Sequence, residues 1–300
     1  MKTLPKILVT GANGQLGKEL KDRCSLYAGF EFVFLSKEDF PIHHFELARN
    51  FFKTIEPAYC INCAAYTAVD KAEEEKDLAF QVNGEAVGVL AAICKEYQTR
   101  FIHISTDYVF DGRSDVPYKE DFPANPLNVY GASKLEGEKQ ALQLNADTII
   151  LRTSWVYSPY GNNFVKTMMK LMVEKNEICV VNDQVGSPTY AGDLAEAIMS
   201  IISNRHPDSN RAAIDNQTAG VYHFSNDGVI SWYEFATAIK NIMGSECVLQ
   251  PVSTSEFPTV ATRPAFSVMD KTKIQESFSI KLKDWTESLR SCIEKIKKAS

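Results

Sequence analysis

The sequence lacks the features that mark membrane, secreted or nucleic-acid-binding proteins. No uninterrupted apolar run reaches the 18 residues or so that a membrane-spanning helix needs, and the N-terminus enters a short strand-like run instead of a signal-peptide core. The net charge is -6, and lysines cluster only in the C-terminal run Lys295 to Lys298. We therefore predict neither a membrane span nor binding to a nucleic-acid polymer.

A disulfide framework is also not indicated. The seven cysteines are odd in number and scattered from Cys24 to Cys292, which favours free thiols in a reducing compartment and predicts a cytoplasmic location. Cys60 and Cys63 form a C-x-x-C, but they lie in an apolar strand-like run, where alternation points them to opposite faces. A redox role is therefore the weaker interpretation.

What the sequence does contain is an alternation of short apolar runs and longer helix-period segments. This pattern predicts βαβ units and an α/β fold, with a Rossmann-like, doubly wound parallel sheet. The expected strands are Lys6 to Thr10, Glu31 to Leu35, Tyr59 to Cys63, Phe101 to Ser105, Thr148 to Arg152 and Val221 to Phe224. The expected helices are Gln15 to Cys24, His44 to Thr54, Leu78 to Tyr97, Val129 to Leu144, Phe164 to Glu174, Asp193 to Ser203, Trp232 to Met243 and Trp285 to Lys297.

The second half of the chain is less regular and richer in turns. We predict a dinucleotide-binding domain over residues 1–157 and a smaller, mainly substrate-binding domain over 158–300, with segments near 186–220 returning to the first. Such a small domain would cap the carboxyl edge of the sheet, where ligands bind in open α/β folds.

A glycine-rich turn follows the first expected strand. Gly11, Gly14 and Gly17 stand in T-G-A-N-G-Q-L-G, between the strand and a helix. Glycines let the backbone approach a pyrophosphate, and the helix N-terminus offers it free N–H groups. The Gly-x-x-Gly-x-x-Gly spacing is only moderately specific, and a turn without a ligand is the alternative.

The residues after the second expected strand bear on cofactor choice. An NAD-selective site usually has Asp or Glu there to hold the ribose 2′-hydroxyl. This sequence has Ser36 and Lys37, which favour a 2′-phosphate and hence NADPH, whereas Glu38 and Asp39 keep NADH open.

Tyr130 and Lys134 are candidates for the reacting groups. One helical turn separates them in Y-G-A-S-K, and a nearby ammonium would favour the phenolate of a tyrosine that shuttles protons. Because the chain has 12 tyrosines, about one such spacing is expected by chance. Thr106, at the end of the fourth expected strand, would complete the group by donating to a substrate oxygen, or would merely cap the next turn.

Five specific strings occur in order along the chain: G-A-N-G-Q-L-G, A-A-Y-T-A-V-D-K-A-E, S-T-D-Y-V-F-D-G, P-L-N-V-Y-G-A-S-K and R-T-S-W-V-Y. They are followed by G-N-N-F, N-D-Q-V-G-S-P-T, W-Y-E-F-A and Arg263-Pro264. By these strings the chain resembles the dTDP-4-dehydrorhamnose reductase family over essentially its full length.

The resemblance implies reduction of the C4 ketone of dTDP-4-dehydro-L-rhamnose by a nicotinamide cofactor, with Thr106, Tyr130 and Lys134 as the catalytic residues. It also implies cofactor contacts from Asn13, Gln15, Leu16, Ala64, Ala65 and Tyr66. Substrate contacts are implied for Thr106, Asp107, Trp155, Asn163, Thr189 and Arg263.

Two departures from the family pattern affect these expectations. Where many members have an acidic loop after the second strand, this sequence reads Pro41, Ile42, His43, His44, which leaves the adenosine contacts there unassigned and has no zinc-ligand spacing. Some members are homodimers bridged by Mg²⁺ through glutamates. Glu19 matches one such position, but the segment Gly192-Asp193 supplies no second glutamate, so we assign no metal-binding residues and leave Mg²⁺ dependence and a homodimer open.

Two other functions fit the same fold. A sugar-nucleotide dehydratase or epimerase is one, but dehydratases of this fold have an acid–base pair after the threonine, and here Asp107 is followed by Tyr108. A non-catalytic regulatory subunit that binds cofactor is the other, and the presence of Thr106, Tyr130 and Lys134 argues against it.

Overall fold

Six of the apolar runs pair side by side into one parallel sheet in the computed structural model, which describes residues 4–40, 42, 45–203 and 218–299. The strands are β1 (Lys6–Thr10), β2 (Glu31–Leu35), β3 (Tyr59–Asn62), β4 (Arg100–Thr106), β5 (Ile149–Thr153) and β10 (Gly220–Phe224). Their order in the sheet is β10-β5-β4-β3-β1-β2. The chain turns back between β1 and β3, and ligands bind outside the carboxyl ends of the strands at such a switch point.

Helices cover both faces of the sheet, as a doubly wound fold requires. They are α1 (Gln15–Arg23), α2 (Phe45–Ile55), α3 (Val69–Ala72), α4 (Lys76–Phe80), α5 (Ala86–Glu96), α6 (Val129–Leu144), α7 (Phe164–Glu174), α8 (Ala191–Ser203), α9 (Trp232–Met243), α10 (Thr272–Phe278) and α11 (Trp285–Ala299). Apolar residues of α1, α8 and α10 form one buried cluster with the sheet, and those of α2, α5 and α6 form another on the opposite face.

A separate hydrophobic core lies beyond the carboxyl edge. It combines α7, α9 and α11 with short strand pairs and includes Tyr157, Met168, Phe235 and Leu289. The strands are β6 (Val156–Tyr157), β7 (Glu177–Val181), β8 (Val185–Gly186), β9 (Thr189–Tyr190), β11 (Ile230–Ser231) and β12 (Val248–Val252), paired as β6–β9, β7–β12 and β8–β11. The chain enters this core after β5, returns to the sheet with α8 and β10, and contributes α10 to the sheet core as well. The domain boundary at residue 157 stays a prediction.

The six strands of the large sheet were all predicted to within about one residue, and so were most helices. The β7–β12 pair, the two-residue strands and α10 were not predicted, because short segments give too little periodicity. Cys60 and Cys63 do contribute to opposite faces of the sheet. Pro41, His43 and His44 lie outside the described residues, as do residues 204–217 of the segment near 186–220 that was predicted to return, whereas Ile42 is buried in the core.

The helical run from Lys76 to Glu96 bears on the prediction that the chain has no membrane span. Although charged residues interrupt it, its length and composition would suit a membrane span. However, 56% of its most apolar stretch is buried inside the protein. Core helices meet the same criterion, so the run is weak evidence for a membrane.

The same run also contains an irregular turn. Residues Gln81–Glu85 form a π-helical turn where an unbroken helix was expected. Such turns are frequent at functional sites. Asn83-Gly84 was the available signal, since Asn-Gly is a helix-breaking pair.

Candidate active site

The glycine turn after β1 is shaped by close backbone contacts. Gly11 has φ +65°, and a Cβ there would lie 2.6 Å from the Ala64 nitrogen. A Cβ on Gly17 would lie 2.6 Å from the Gly11 carbonyl oxygen. Gly14 is the N-cap residue of α1 and has no side chain, so no side-chain hydrogen bond caps the first N–H groups of that helix. This is the arrangement that binds a pyrophosphate.

The other predicted cofactor residues of this turn differ in exposure. Asn13 and Gly14 are exposed, Gln15 is half-buried, and Leu16 packs into the sheet core. Leu16 can therefore offer a ligand its backbone but not its side chain. After β2, Ser36 donates its hydroxyl to Asp39 Oδ2 at 2.8 Å, and Lys37 is exposed. The Ser36 hydroxyl is thus engaged by an acidic neighbour, which leaves Lys37 as the charged group available to a 2′-phosphate.

The loop after β3 carries Ala64, Ala65 and Tyr66, all half-buried. Asn83, in the π-helical turn, holds this loop with both ends of its amide: Tyr66 N–H donates to Oδ1 at 2.8 Å, and Nδ2 donates to the Tyr66 carbonyl at 3.0 Å. Asn83 Nδ2 also donates to Ser133 Oγ in α6 at 3.0 Å. Sequence reasoning missed Asn83, which positions the predicted cofactor loop against the helix that carries Tyr130 and Lys134.

Tyr130 and Thr106 come together because α6 begins very close to the end of β4. Asn128 caps the helix by accepting from Gly131 N–H at 2.8 Å. A Cβ on Gly131 would lie only 2.2 Å from the Tyr108 carbonyl oxygen, so the glycine allows this approach. Burial raises the pKa of Tyr130 to about 12, while its hydrogen bond with Thr106 lowers it and Asp107 raises it. The phenol is therefore protonated near neutral pH, as a proton donor must be.

Lys134 lies one turn further along α6 and is buried. Its Nζ donates to the Ile104 carbonyl at 2.6 Å and lies 3.4 Å from His103 Nε2. Burial lowers the pKa of Lys134 to about 8, against the opposing effects of Glu138 and Cys63. The pKa of Tyr130 is raised by burial and not lowered as expected, while the Lys134 amine is hydrogen-bonded to the Ile104 carbonyl.

Asp107 follows Thr106 and is also buried. It accepts a hydrogen bond from the Thr106 hydroxyl at 3.0 Å, while its buried Oδ2 has no hydrogen-bond partner. Burial raises the pKa of Asp107 to about 6, although Ser267 and Thr106 lower it. A buried carboxylate with unused acceptor capacity fits the prediction that Asp107 contacts a ligand hydroxyl.

The predicted substrate residues fall into two groups. Trp155 is half-buried, has φ +48° and stacks on Trp232 with ring centres 3.6 Å apart. Arg263 forms a two-point ion pair with Asp70, at 2.8 and 3.2 Å, which joins the C-terminal region to the chain just after the cofactor loop. Both side chains keep some exposure and can reach a ligand.

Asn163 and Thr189 are engaged within the protein. Asn163 caps α7 and donates to Gln15 Oε1 at 2.9 Å, so it ties the second core to the start of α1. Thr189 is fully buried and accepts from the Thr153 hydroxyl at 3.1 Å. These contacts hold both side chains within the protein, and the substrate contacts expected of them stay predictions.

Comparison with known proteins shows which family the chain belongs to. The family model described as the RmlD substrate binding domain matches residues 5–298. The chain belongs to this family.

Relatives of this RmlD-family chain match it along nearly its whole length. The spore coat polysaccharide biosynthesis protein SpsK of Bacillus subtilis (strain 168) is 42% identical over 97% of this chain and 98% of its own. A dTDP-4-dehydrorhamnose reductase of Aggregatibacter actinomycetemcomitans is 38% identical over 96% and 98%. The crystal structure of dTDP-4-dehydrorhamnose reductase from Bacillus anthracis str. Ames in complex with NADP has a TM-score of 0.90 and 36% identity, covering 98% of this chain and 100% of that one.

The residues around Glu19 do not fit a divalent cation. The Glu19 carboxylate is buried, pairs with the Arg23 guanidinium, and has Lys295 Nζ 3.8 Å away. A Cβ on Gly192 would lie 2.3 Å from Arg23 Nη2, so Arg23 fills the space that a longer acidic side chain at that position would need. Within the described ranges, no group of three or more His, Cys, Asp or Glu side chains could hold a metal. Arg23 and Lys295 already supply positive charge to this carboxylate, and a homodimer stays a prediction.

Proposed function

We propose that this chain is an NAD(P)H-dependent reductase that converts the C4 ketone of dTDP-4-dehydro-L-rhamnose to the hydroxyl of dTDP-L-rhamnose. The observation that carries the proposal is the meeting of Tyr130 and Thr106 at the carboxyl end of β4, on the same sheet edge as the glycine turn after β1 and separated from it by β3. Full-length similarity to named dTDP-4-dehydrorhamnose reductases supports the substrate class.

The cofactor-binding role rests on a donor set that suits a dinucleotide. Backbone N–H groups of the turn would hold the pyrophosphate, and the loop after β3 would line the nicotinamide side. The residues concerned are Gly11, Asn13, Gly14, Gln15, Leu16, Gly17, Ala64, Ala65, Tyr66, Tyr130 and Lys134. Lys37, together with the NADP bound to the B. anthracis relative, favours NADPH over NADH.

The chemistry requires a hydride at carbon and a proton at oxygen. When bound, the reduced nicotinamide supplies the hydride. Tyr130 donates its phenolic proton to the ketone oxygen as the alkoxide develops, while Thr106 hydrogen-bonds the same oxygen. Trp155 packs against the sugar ring, and Arg263 and Asp107 bind polar groups of the sugar nucleotide.

Tyr130→Phe tests the proposal. The variant should bind NADPH normally but lose roughly 100-fold or more of kcat with the dTDP-linked 4-keto sugar, because the proton donor is gone. Tyr108→Phe is the control: it removes the neighbouring phenol, whose ring centre is 5.6 Å away, and should lose far less. Near-normal turnover by Tyr130→Phe would reject the assignment, and cofactor binding without NADPH oxidation by the unaltered chain would favour a regulatory subunit.

The cellular location is part of the same proposal. All seven cysteines are free thiols in the structure. This supports a reducing compartment, and we place the reaction in the cytoplasm.

A further inference from the structure

A row of buried polar side chains leads across the sheet to Lys134. Parallel pairing aligns Thr10 of β1 with Asn62 of β3, and Asn62 with His103 of β4. All three are buried, with at most 1% of their surface exposed. Each contacts the next: Thr10 Oγ1 donates to Asn62 Oδ1 at 2.6 Å, and Asn62 Nδ2 lies 3.1 Å from His103 Nδ1. His103 Nε2 then faces Lys134 Nζ at 3.4 Å.

The orientation of the Asn62 amide is set by its neighbours. The Ala64 backbone N–H can only donate, and it points to Asn62 Oδ1 at 3.3 Å. The other end of the amide must therefore be the NH₂ group, which is a donor as well. Its partner, His103 Nδ1, can accept only through a lone pair, so the imidazole is neutral and carries its proton on Nε2.

This tautomer places an N–H against the Lys134 amine. An ammonium group has only N–H donors and would meet the imidazole N–H donor to donor, whereas a neutral amine offers a lone pair. The other titratable groups facing Lys134 are Glu138 on its own helix, which favours the ammonium, and Cys63 after β3, which does the same. On the other side of the pair, the charged group that faces His103 is Lys134. The His103 ring also stacks on the Phe101 ring, with ring centres 6.1 Å apart.

We propose that His103, fixed in its Nε2–H tautomer by Asn62, is a positioning residue that favours the neutral form of the Lys134 amine. Its catalytic consequence rests on the proposed function. With His103 in place, the neutral amine gains a hydrogen bond from the imidazole N–H, so Lys134 loses and regains its proton closer to neutral pH. Without His103, the balance shifts further toward the ammonium.

The first test reads the tautomer directly. The ¹⁵N chemical shifts of the His103 ring in the full chain, assigned with a His103→Phe variant, should show a protonated Nε2 and an unprotonated Nδ1 at pH 7. A proton on Nδ1, or on both nitrogens, would overturn the proposal without any measurement of activity.

The second test measures the titration of Lys134 by its ¹³Cε resonance, assigned by its loss in Lys134→Met. In His103→Phe the midpoint should rise by roughly half a pH unit or more, because the opposing N–H is removed. If the imidazole instead accepted a hydrogen bond from the ammonium, the midpoint would fall, so the sign decides. His223→Phe is the matched control, because it removes another fully buried histidine that contacts Arg152 and not Lys134.

Asn62→Ala keeps the test available if His103→Phe does not fold. The imidazole stays but loses the donor that fixes its tautomer, so its Nε2 can accept from Lys134 and the midpoint should again rise. An unchanged or lowered midpoint in the folded variant would refute the tautomer argument. Normal turnover by Tyr130→Phe would reject the proposed function yet leave these titration results standing, so the two failures are distinguishable.

Discussion

Removing one partner of the Glu138–Arg152 ion pair should destabilise the protein far more than removing a surface pair. Arg152 Nε and Nη2 reach the Glu138 carboxylate at 2.9 and 2.6 Å, and both residues are at least 95% buried. Ser105 also donates its hydroxyl to this carboxylate. The pair thus ties α6 to β4 and β5 directly behind the candidate active site.

Glu138→Ala would leave the guanidinium buried with only distant partners. The remaining polar contacts of Arg152 are the Glu120 carbonyl at 3.4 Å and His223 Nε2 at 3.5 Å. An uncompensated buried charge costs about 3–5 kcal/mol, a large part of the roughly 5–15 kcal/mol by which folded domains are stable. At about 2 °C per kcal/mol for a chain of this size, the melting temperature should fall by roughly 6–10 °C.

The assay is urea unfolding followed by circular dichroism, with thermal melting in parallel. Glu96→Ala is the control: Glu96 pairs with Arg49 at 3.1 Å, but both side chains are 47% exposed, and the loss should stay below about 1 kcal/mol. Replacing both buried charges, as Glu138→Leu with Arg152→Met, should recover much of the loss, because no unpaired charge remains. A Glu138→Ala chain within about 1 kcal/mol of the unaltered protein would refute the reasoning.

Three further outcomes are expected. Lys37→Ala should lower the ratio of kcat/KM for NADPH to kcat/KM for NADH by about 10-fold, because it removes a charged partner of the 2′-phosphate. Replacing another exposed lysine, in Lys53→Ala, should leave that ratio unchanged. Burial raises the pKa of Asp107 from 3.8 to about 6, so the folded state binds this proton more tightly and loses stability as the pH rises between these values. Asp107→Asn should therefore raise the free energy of unfolding in urea by up to about 3 kcal/mol at pH 8 and by almost nothing at pH 4. An equal increase at both pH values would contradict the argument. Gly137→Ala should lower the free energy of unfolding by about 1–3 kcal/mol or more, because its Cβ would lie 2.0 Å from the Asn83 carbonyl oxygen. Gly29→Ala should leave stability unchanged, because nothing lies within 4 Å of a Cβ at that position. Equal losses in the two variants would refute the packing argument.

The parts of the fold that could be predicted from sequence are those with a strong period. The strands of the large sheet are buried apolar runs between turn residues, and α6 and α9 show clear boundaries, so their ends agree with the structure. Two-residue strands such as β8 carry no period at all. The β7–β12 pair depends on contacts between segments about 70 residues apart, which no local pattern reports.

The candidate site divides in a similar way. Tyr130, Lys134 and Thr106 could be named because their spacing and strand-end position have a chemical meaning. What Lys134 touches could not, because a buried amine takes the nearest acceptor, and only the folded backbone shows that this is the Ile104 carbonyl. The burial of Thr189 could not be predicted either, because a threonine in a turn-rich segment gives no sign that its hydroxyl is fully buried.

The row Thr10, Asn62 and His103 shows how a parallel sheet can prepare chemistry at its edge. Each residue would be costly to bury alone, since an unpaired polar group in the interior loses its hydration. In register, each satisfies its neighbour, and the direction of every hydrogen bond is dictated by the one before it, starting from the Ala64 N–H. The last member of such a row has no freedom left in its tautomer, so the backbone of the predicted cofactor loop determines which hydrogen-bonding group His103 presents to Lys134.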